Sequence, residues 1–195
     1  MDTFESIEKE IIEDEQNKSY TQRGIPPLYV AREHARICII GQAPGAVAER
    51  TLLPWNDKSG DRLREWMGIS RAIFYNSPLI SIMPMDFYYP GKGKSGDAPP
   101  RVGFAEKWHP RLMKLMPKLT LIILVGAYAQ KYYLDIPKGQ TATMTLRNFR
   151  DYPSTFFPLV HPSPRNNIWL MRNPWFEEEV VRELRERVRE VLGGY

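Results

Sequence analysis

Two short segments carry polar side chains suited to binding or to proton transfer. Gly41-Gln-Ala-Pro-Gly45 directly follows an apolar run, and its glycines and proline build a tight turn whose backbone amides can face a ligand. Gln42 stands where that run ends; its amide can orient a water but cannot take a proton. A purely structural turn would explain the glycines, but explains the glutamine less well. His161-Pro-Ser-Pro-Arg-Asn-Asn167 follows another apolar run. It sets an imidazole, a hydroxyl and a guanidinium on a proline-stiffened loop, so its donors lose little entropy on binding.

Other chemistries fit less well. Gly93-Lys-Ser95 resembles the end of a nucleotide-binding P-loop, but Tyr88 occupies the place of the first glycine and no apolar strand runs into the loop. Lys92 and Lys94 remain free to meet phosphates singly. The three histidines, His34, His109 and His161, lack the short spacing of zinc ligands, so no metal is expected. His34 reads as a surface residue and His109 as a structural one. Cys38 lies among isoleucines, where a thiol is inert packing. A lone cysteine also excludes a disulfide framework and an iron–sulfur cluster held by this chain alone; no cofactor is expected.

The elements that must position these segments follow from periodicity. Residues 4–15 predict an amphipathic helix through Phe4, Ile7, Ile11 and Ile12, and Pro26-Pro27 an extended link. Strands are predicted at 35–40, 72–77 (resuming over 79–83 beyond Pro78), 119–125 and 155–160, the third being the most apolar and therefore central. Helices are predicted at 61–67, 104–116, 128–133, 141–151 and 176–192. In the last, Glu178–Arg182 and Glu183–Arg187 are spaced to pair on the exposed side. Strands alternating with helices indicate an α/β fold around a mostly parallel sheet. Ligands of such sheets bind beyond the carboxyl ends of the strands, which singles out loops 41–54, 84–101 and 161–174.

Composition bounds the rest. The 195 residues suit one domain, and 43% hydrophobic with 26% charged residues is ordinary globular usage. The net charge of +4 is uneven: residues 1–20 carry seven acids and two lysines, so the remainder carries about +9, which favours a polyanionic partner. No apolar run reaches the roughly 18 residues of a membrane helix. The acidic N-terminus is unlike a secretory signal. The expectation is a cytoplasmic protein with no membrane partner; the sequence leaves the oligomeric state open and favours a monomer. Residues 1–30 are read as an acidic helix and linker, and 31–195 as the functional domain.

Over residues 35–192 the chain resembles the uracil-DNA glycosylase superfamily, in a branch without the iron–sulfur cysteines. The resemblance rests on Gly41-Gln-Ala-Pro-Gly45, Leu53-Pro-Trp55, Ser59-Gly-Asp-Arg-Leu63, the strand leading to Gly126-Ala127, and His161-Pro-Ser-Pro164, in that order and spacing. It implies a three-layer αβα sandwich around a four-stranded sheet, and hydrolysis of the N-glycosidic bond of uracil or another deaminated base in single- or double-stranded DNA. The implied roles are Gln42 positioning water, Ala43 beside the base, Trp55 stacking on it, and His161 stabilising the leaving anion. Pro44, Gly45, Ser163, Arg165 and Asn166, with Lys92 and Lys94, would meet the DNA. Relatives read the uracil edge with an asparagine on the second strand; here that place falls near Pro78, and Asn76, two residues earlier on the same strand face, is the fallback. No carboxylate stands at position 42 or 43, which implies weak turnover. Two alternatives stay open: a catalytically silent nucleic-acid-binding protein on the same scaffold, and an enzyme of free nucleosides or nucleotides.

Overall fold

The computed structural model describes residues 2–193. Its strands are β1 (Ile37–Ile40), β2 (Ile80–Ile82), β3 (Lys92–Gly93), β4 (Gly96–Asp97), β5 (Leu121–Val125) and β6 (Phe156–Leu159). β3 and β4 form a separate antiparallel hairpin; the other four make one sheet in the order β2-β1-β5-β6, every neighbour parallel. The mostly parallel four-stranded sheet expected from the sequence is thus wholly parallel.

The helices are α1 (Phe4–Glu13), α2 (Lys18–Gln22), α3 (Ala46–Thr51), α4 (Lys58–Met67), α5 (Arg71–Asn76), α6 (Phe104–Lys114), α7 (Ala127–Tyr133), α8 (Ala142–Arg147), α9 (Asn167–Arg172) and α10 (Arg182–Leu192). Successive strand residues face opposite sides of a sheet, and here both sides are apolar. Ile37, Ile39, Leu121, Ile123, Val125, Phe157 and Leu159 enter one core; Cys38, Ile40, Ile122 and Leu124 enter the other. Strands buried on both faces need a helical layer on each. Leu63 of α4, Leu146 of α8 and Leu184 of α10 supply the first layer, and Ile7 of α1, Leu112 of α6 and Ala129 of α7 the second.

The acidic N-terminal helix is part of this packing. Ile7 and Ile11 are fully buried, while Arg111 of α6 donates to Asp2 and Glu10, and Lys107 pairs with Asp14. The acids at the N-terminus are therefore partly answered by cations within the same molecule.

Some elements differ from the sequence expectation. Residues 72–77 are not a strand: Arg71–Asn76 form α5, whose N-cap Ser70 accepts the Ile73 N–H at 3.2 Å. The Ile-Phe-Tyr run reads as a strand by residue type, but the serine cap and the inward packing of Phe74 favour a helical turn. β2 begins only after Pro78. α4 starts at Lys58 rather than Asp61 because Asp57 caps it, accepting the Gly60 N–H at 2.9 Å. The expected helix over 141–151 divides into α8 and a 3₁₀ turn at Phe149–Asp151. Phe176–Val181 form a π-turn before α10. That wider turn displaces i,i+4 neighbours, so among the described residues Glu178 and Arg182 do not pair, whereas Glu183 and Arg187 do at 2.6 Å.

Candidate active site

β1, β2 and β6 run in one direction, so the loops that follow them leave from the same edge of the sheet. They surround an open cavity of about 450 Å³. The first loop supplies Gln42, Ala43, Pro44 and Gly45, and the last supplies His161, Ser163, Arg165 and Asn166. Trp55, between α3 and α4, forms another wall. The two segments singled out by their chemistry, more than a hundred residues apart in the chain, therefore meet at one site.

Trp55 is forced into place. Its φ of +57° is a left-handed conformation rare outside glycine, of order 1–3 kcal/mol in cost. A Cβ on Gly60 would lie 1.8 Å from the Trp55 carbonyl oxygen, and one on Gly41 would lie 2.9 Å from its Cζ2. Only glycine at these positions admits the indole and its backbone. Buried Arg64 fastens the turn by donating to the Trp55 carbonyl at 3.1 Å; its other nitrogen meets Asp61 at 2.6 Å.

His161 stands 5.6 Å from the Trp55 ring, centroid to centroid. The Ser163 backbone N–H donates to its Nδ1 at 3.2 Å, which leaves the proton of the neutral imidazole on Nε2. Burial lowers its pKa below the usual histidine value, with Asp57 and Asp97 pulling weakly the other way. Asn166 donates to the His161 carbonyl at 2.7 Å, and the Ser163 hydroxyl accepts the Arg165 N–H at 3.3 Å. Arg62 of α4 braces the loop from outside, donating to Asn167 at 2.8 Å. The result is a stiff loop presenting a neutral N–H donor.

The first loop is stitched to the second. Gly41 and Gln42 carbonyls accept N–H bonds from Met85 and Asp86 at 2.8 and 3.2 Å. The Gln42 side chain donates to the Ala98 carbonyl at 2.8 Å. The excursion between Asp86 and Arg101 is closed at its neck: buried Asp86 receives two guanidinium bonds from Arg101, at 2.7 and 2.8 Å. Behind it, His109 donates from Nε2 to the Pro84 carbonyl at 3.0 Å, while its Nδ1 meets the Tyr133 hydroxyl at 2.6 Å. Pro84 lines the cavity, so His109 holds one of its walls.

Three of the expected site residues lie elsewhere. Asn76 is a correction: it sits exposed at the end of α5, not on a strand, and does not line the cavity. Its face was inferred from an alternation that a helix does not have. Lys92 and Lys94 are exposed on the β3–β4 hairpin, outside the cavity wall, although Ser95 and Asp97 of that hairpin reach it. Four polar lining residues had been given no site role: Asp57, Ser59, Ser95 and Asp97. Asp57 was findable, since Asp-Lys-Ser-Gly before an apolar helical stripe is an N-cap pattern. Asp97 was not, because nothing in a long glycine- and proline-rich loop gives its register.

Among the described residues, no group of three His, Cys, Asp or Glu is placed to hold a metal ion, and no helix is long and apolar enough to cross a membrane. Residues 27–185, most of the chain, match the family model described as the Uracil DNA glycosylase superfamily. The match takes in every cavity-lining residue named above, from the turn after β1 to the histidine loop after β6. By that match, and with the wholly parallel sheet carrying both segments to one cavity, this chain belongs to the uracil DNA glycosylase superfamily.

Proposed function

We propose that this protein is a DNA glycosylase that hydrolyses the N-glycosidic bond of uracil or another deaminated base. The observation that carries the reading is the convergence of the Gly41–Gly45 turn, Trp55 and His161 on one cavity. A target base must leave the helical stack, at a cost of a few kcal/mol, and find a compensating surface. Trp55 provides an aromatic face for it. As the bond breaks, negative charge gathers on a ring oxygen of the departing base. A donor already aimed at that charge lowers the barrier. The Nε2–H of His161 suits this role because burial keeps the ring neutral and Ser163 fixes its tautomer. Arg165 and the backbone of the Ser163 loop, with Pro44 and Gly45 opposite, would grip the flanking phosphates.

Free uracil release from uracil-containing single strands and duplexes tests the reading. The expected outcome is release by the native protein, and a single-turnover rate about 100-fold lower or worse for His161→Ala with DNA affinity preserved. No release of any deaminated base at enzyme excess would refute it. Binding that is tight, salt-sensitive and unproductive would instead indicate a silent nucleic-acid-binding protein, an alternative favoured by one observation: Gln42 commits one of its two amide N–H groups to Ala98.

A further inference from the structure

Hydrolysis at a sugar carbon asks for more than a stacking face and a donor to the leaving group. The attacking water must lose a proton, and the sugar develops positive charge; a carboxylate serves both needs. The Gly41–Gly45 turn contains none, and Gln42 cannot accept a proton. The cavity nevertheless contains two carboxylates, Asp57 and Asp97. Asp57 is committed to the fold, with its Oδ1 capping α4 through the Gly60 N–H at 2.9 Å. Asp97 is not so committed. Its Oδ1 receives only a long bond from the Tyr89 hydroxyl at 3.4 Å, and among the described residues its Oδ2 accepts no hydrogen bond from the protein. That oxygen lies 3.6 Å from where a Cβ of Gly45 would be, at the lip of the first loop.

The hairpin bearing Asp97 is held against that loop rather than left free. Gln42 donates to the carbonyl of Ala98, the next residue, and the Ala98 N–H closes onto Gly91 at 2.8 Å. Arg165 of the histidine loop lies against Gly96 on the other side. Asp97 and His161 line the same cavity.

We propose that Asp97, delivered by the β3–β4 hairpin, is the catalytic carboxylate of this protein, and that Gln42 serves as its tether as well as a water ligand. The inference rests on the glycosylase reading above. In the step, the water oxygen bonds C1′ of the deoxyribose as the C1′–N bond of the base breaks. The electron pair of that bond leaves with the base, steadied by His161. The water proton passes to Asp97 and then to the departing base, so the products are free base and an abasic sugar hydroxyl.

The test is single-turnover release of uracil from a single-stranded oligonucleotide by the full chain. Asp97→Asn keeps the shape and an acceptor for Tyr89 but not the basicity. It is expected to slow release about 100-fold or more, with DNA affinity within about threefold of native and an unchanged melting temperature. Tyr89→Phe, which removes only the bond to Asp97, is expected to stay within about threefold of native. An Asp97→Asn rate within about threefold of native overturns this inference alone, as does an equal loss in Tyr89→Phe, which would make Asp97 a hairpin tie. A native protein that releases no base overturns the glycosylase reading and this inference together.

Discussion

The least tolerant residue of the site is not one that would touch DNA. Gly60 leaves room for the carbonyl of Trp55, and a methyl group there would have to displace that backbone, since 1.8 Å is far inside contact distance. Arg64 and Asp61 hold the same turn from the other side, so the strain has no easy outlet. Gly60→Ala is expected to lower stability by about 2 kcal/mol in chemical denaturation. It is also expected to slow base release by tenfold or more, because the indole would no longer be held in place beside His161. At this scale, Gln42, Trp55 and His161 were legible because each sits within a few residues of a strand end or a helix start that periodicity locates. Asn76 was misread because its side-chain direction depends on whether the backbone is extended or helical, and residue types alone favoured the wrong one.

Among elements, the cavity wall after β2 is held by groups that do not themselves line the cavity. His109, buried on α6, bonds the Pro84 carbonyl and the Tyr133 hydroxyl, and burial pushes its pKa down from 6.5 to about 4. The unfolded chain therefore binds a proton that the folded one refuses between those values. Its contribution to stability is complete above about pH 6.5, falls as the pH drops, and levels off below about pH 4, an acid loss of about 3 kcal/mol. His161, shifted in the same direction, adds to the fall. Denaturation midpoints measured from pH 7 to pH 4 should show this slope, and His109→Leu should flatten it while lowering stability throughout. The sequence marked His109 as structural, since it stood next to an aromatic within a helical stripe. It could not show that the imidazole reaches across to the loop after β2, because that contact joins segments about 25 residues apart through packing alone.

For the whole molecule, charge distribution matters more than net charge. The acidic N-terminal helix is neutralised in part by Arg111 and Lys107, which leaves the cations near the cavity to face an outside polyanion. Lys92 and Lys94 lie exposed on the hairpin beside the opening. If each meets one phosphate, the double variant Lys92→Ala/Lys94→Ala should reduce the salt dependence of single-strand affinity by a slope of about 1.4. Anisotropy titrations over a range of salt concentrations measure this directly, and the single-turnover rate at saturating enzyme should change little.

The parallel α/β scaffold, the two chemical segments at its strand ends and the family to which they point can all be read from the order of residues. Those features are local: strand and helix periods, glycine and proline turns, and short ordered motifs read directly from neighbouring residues. Which groups share the cavity is set by the folded arrangement of the loops. Asp57 and Asp97 enter it, Asn76 does not, and Gln42 commits one amide N–H to Ala98, 56 residues away beside the hairpin. Such outcomes depend on loop register and on hydrogen bonds between distant segments, for which the chain carries no periodic signal. The cost of ordering a long loop is offset only once its neck, its glycine turns and its neighbours are all in place.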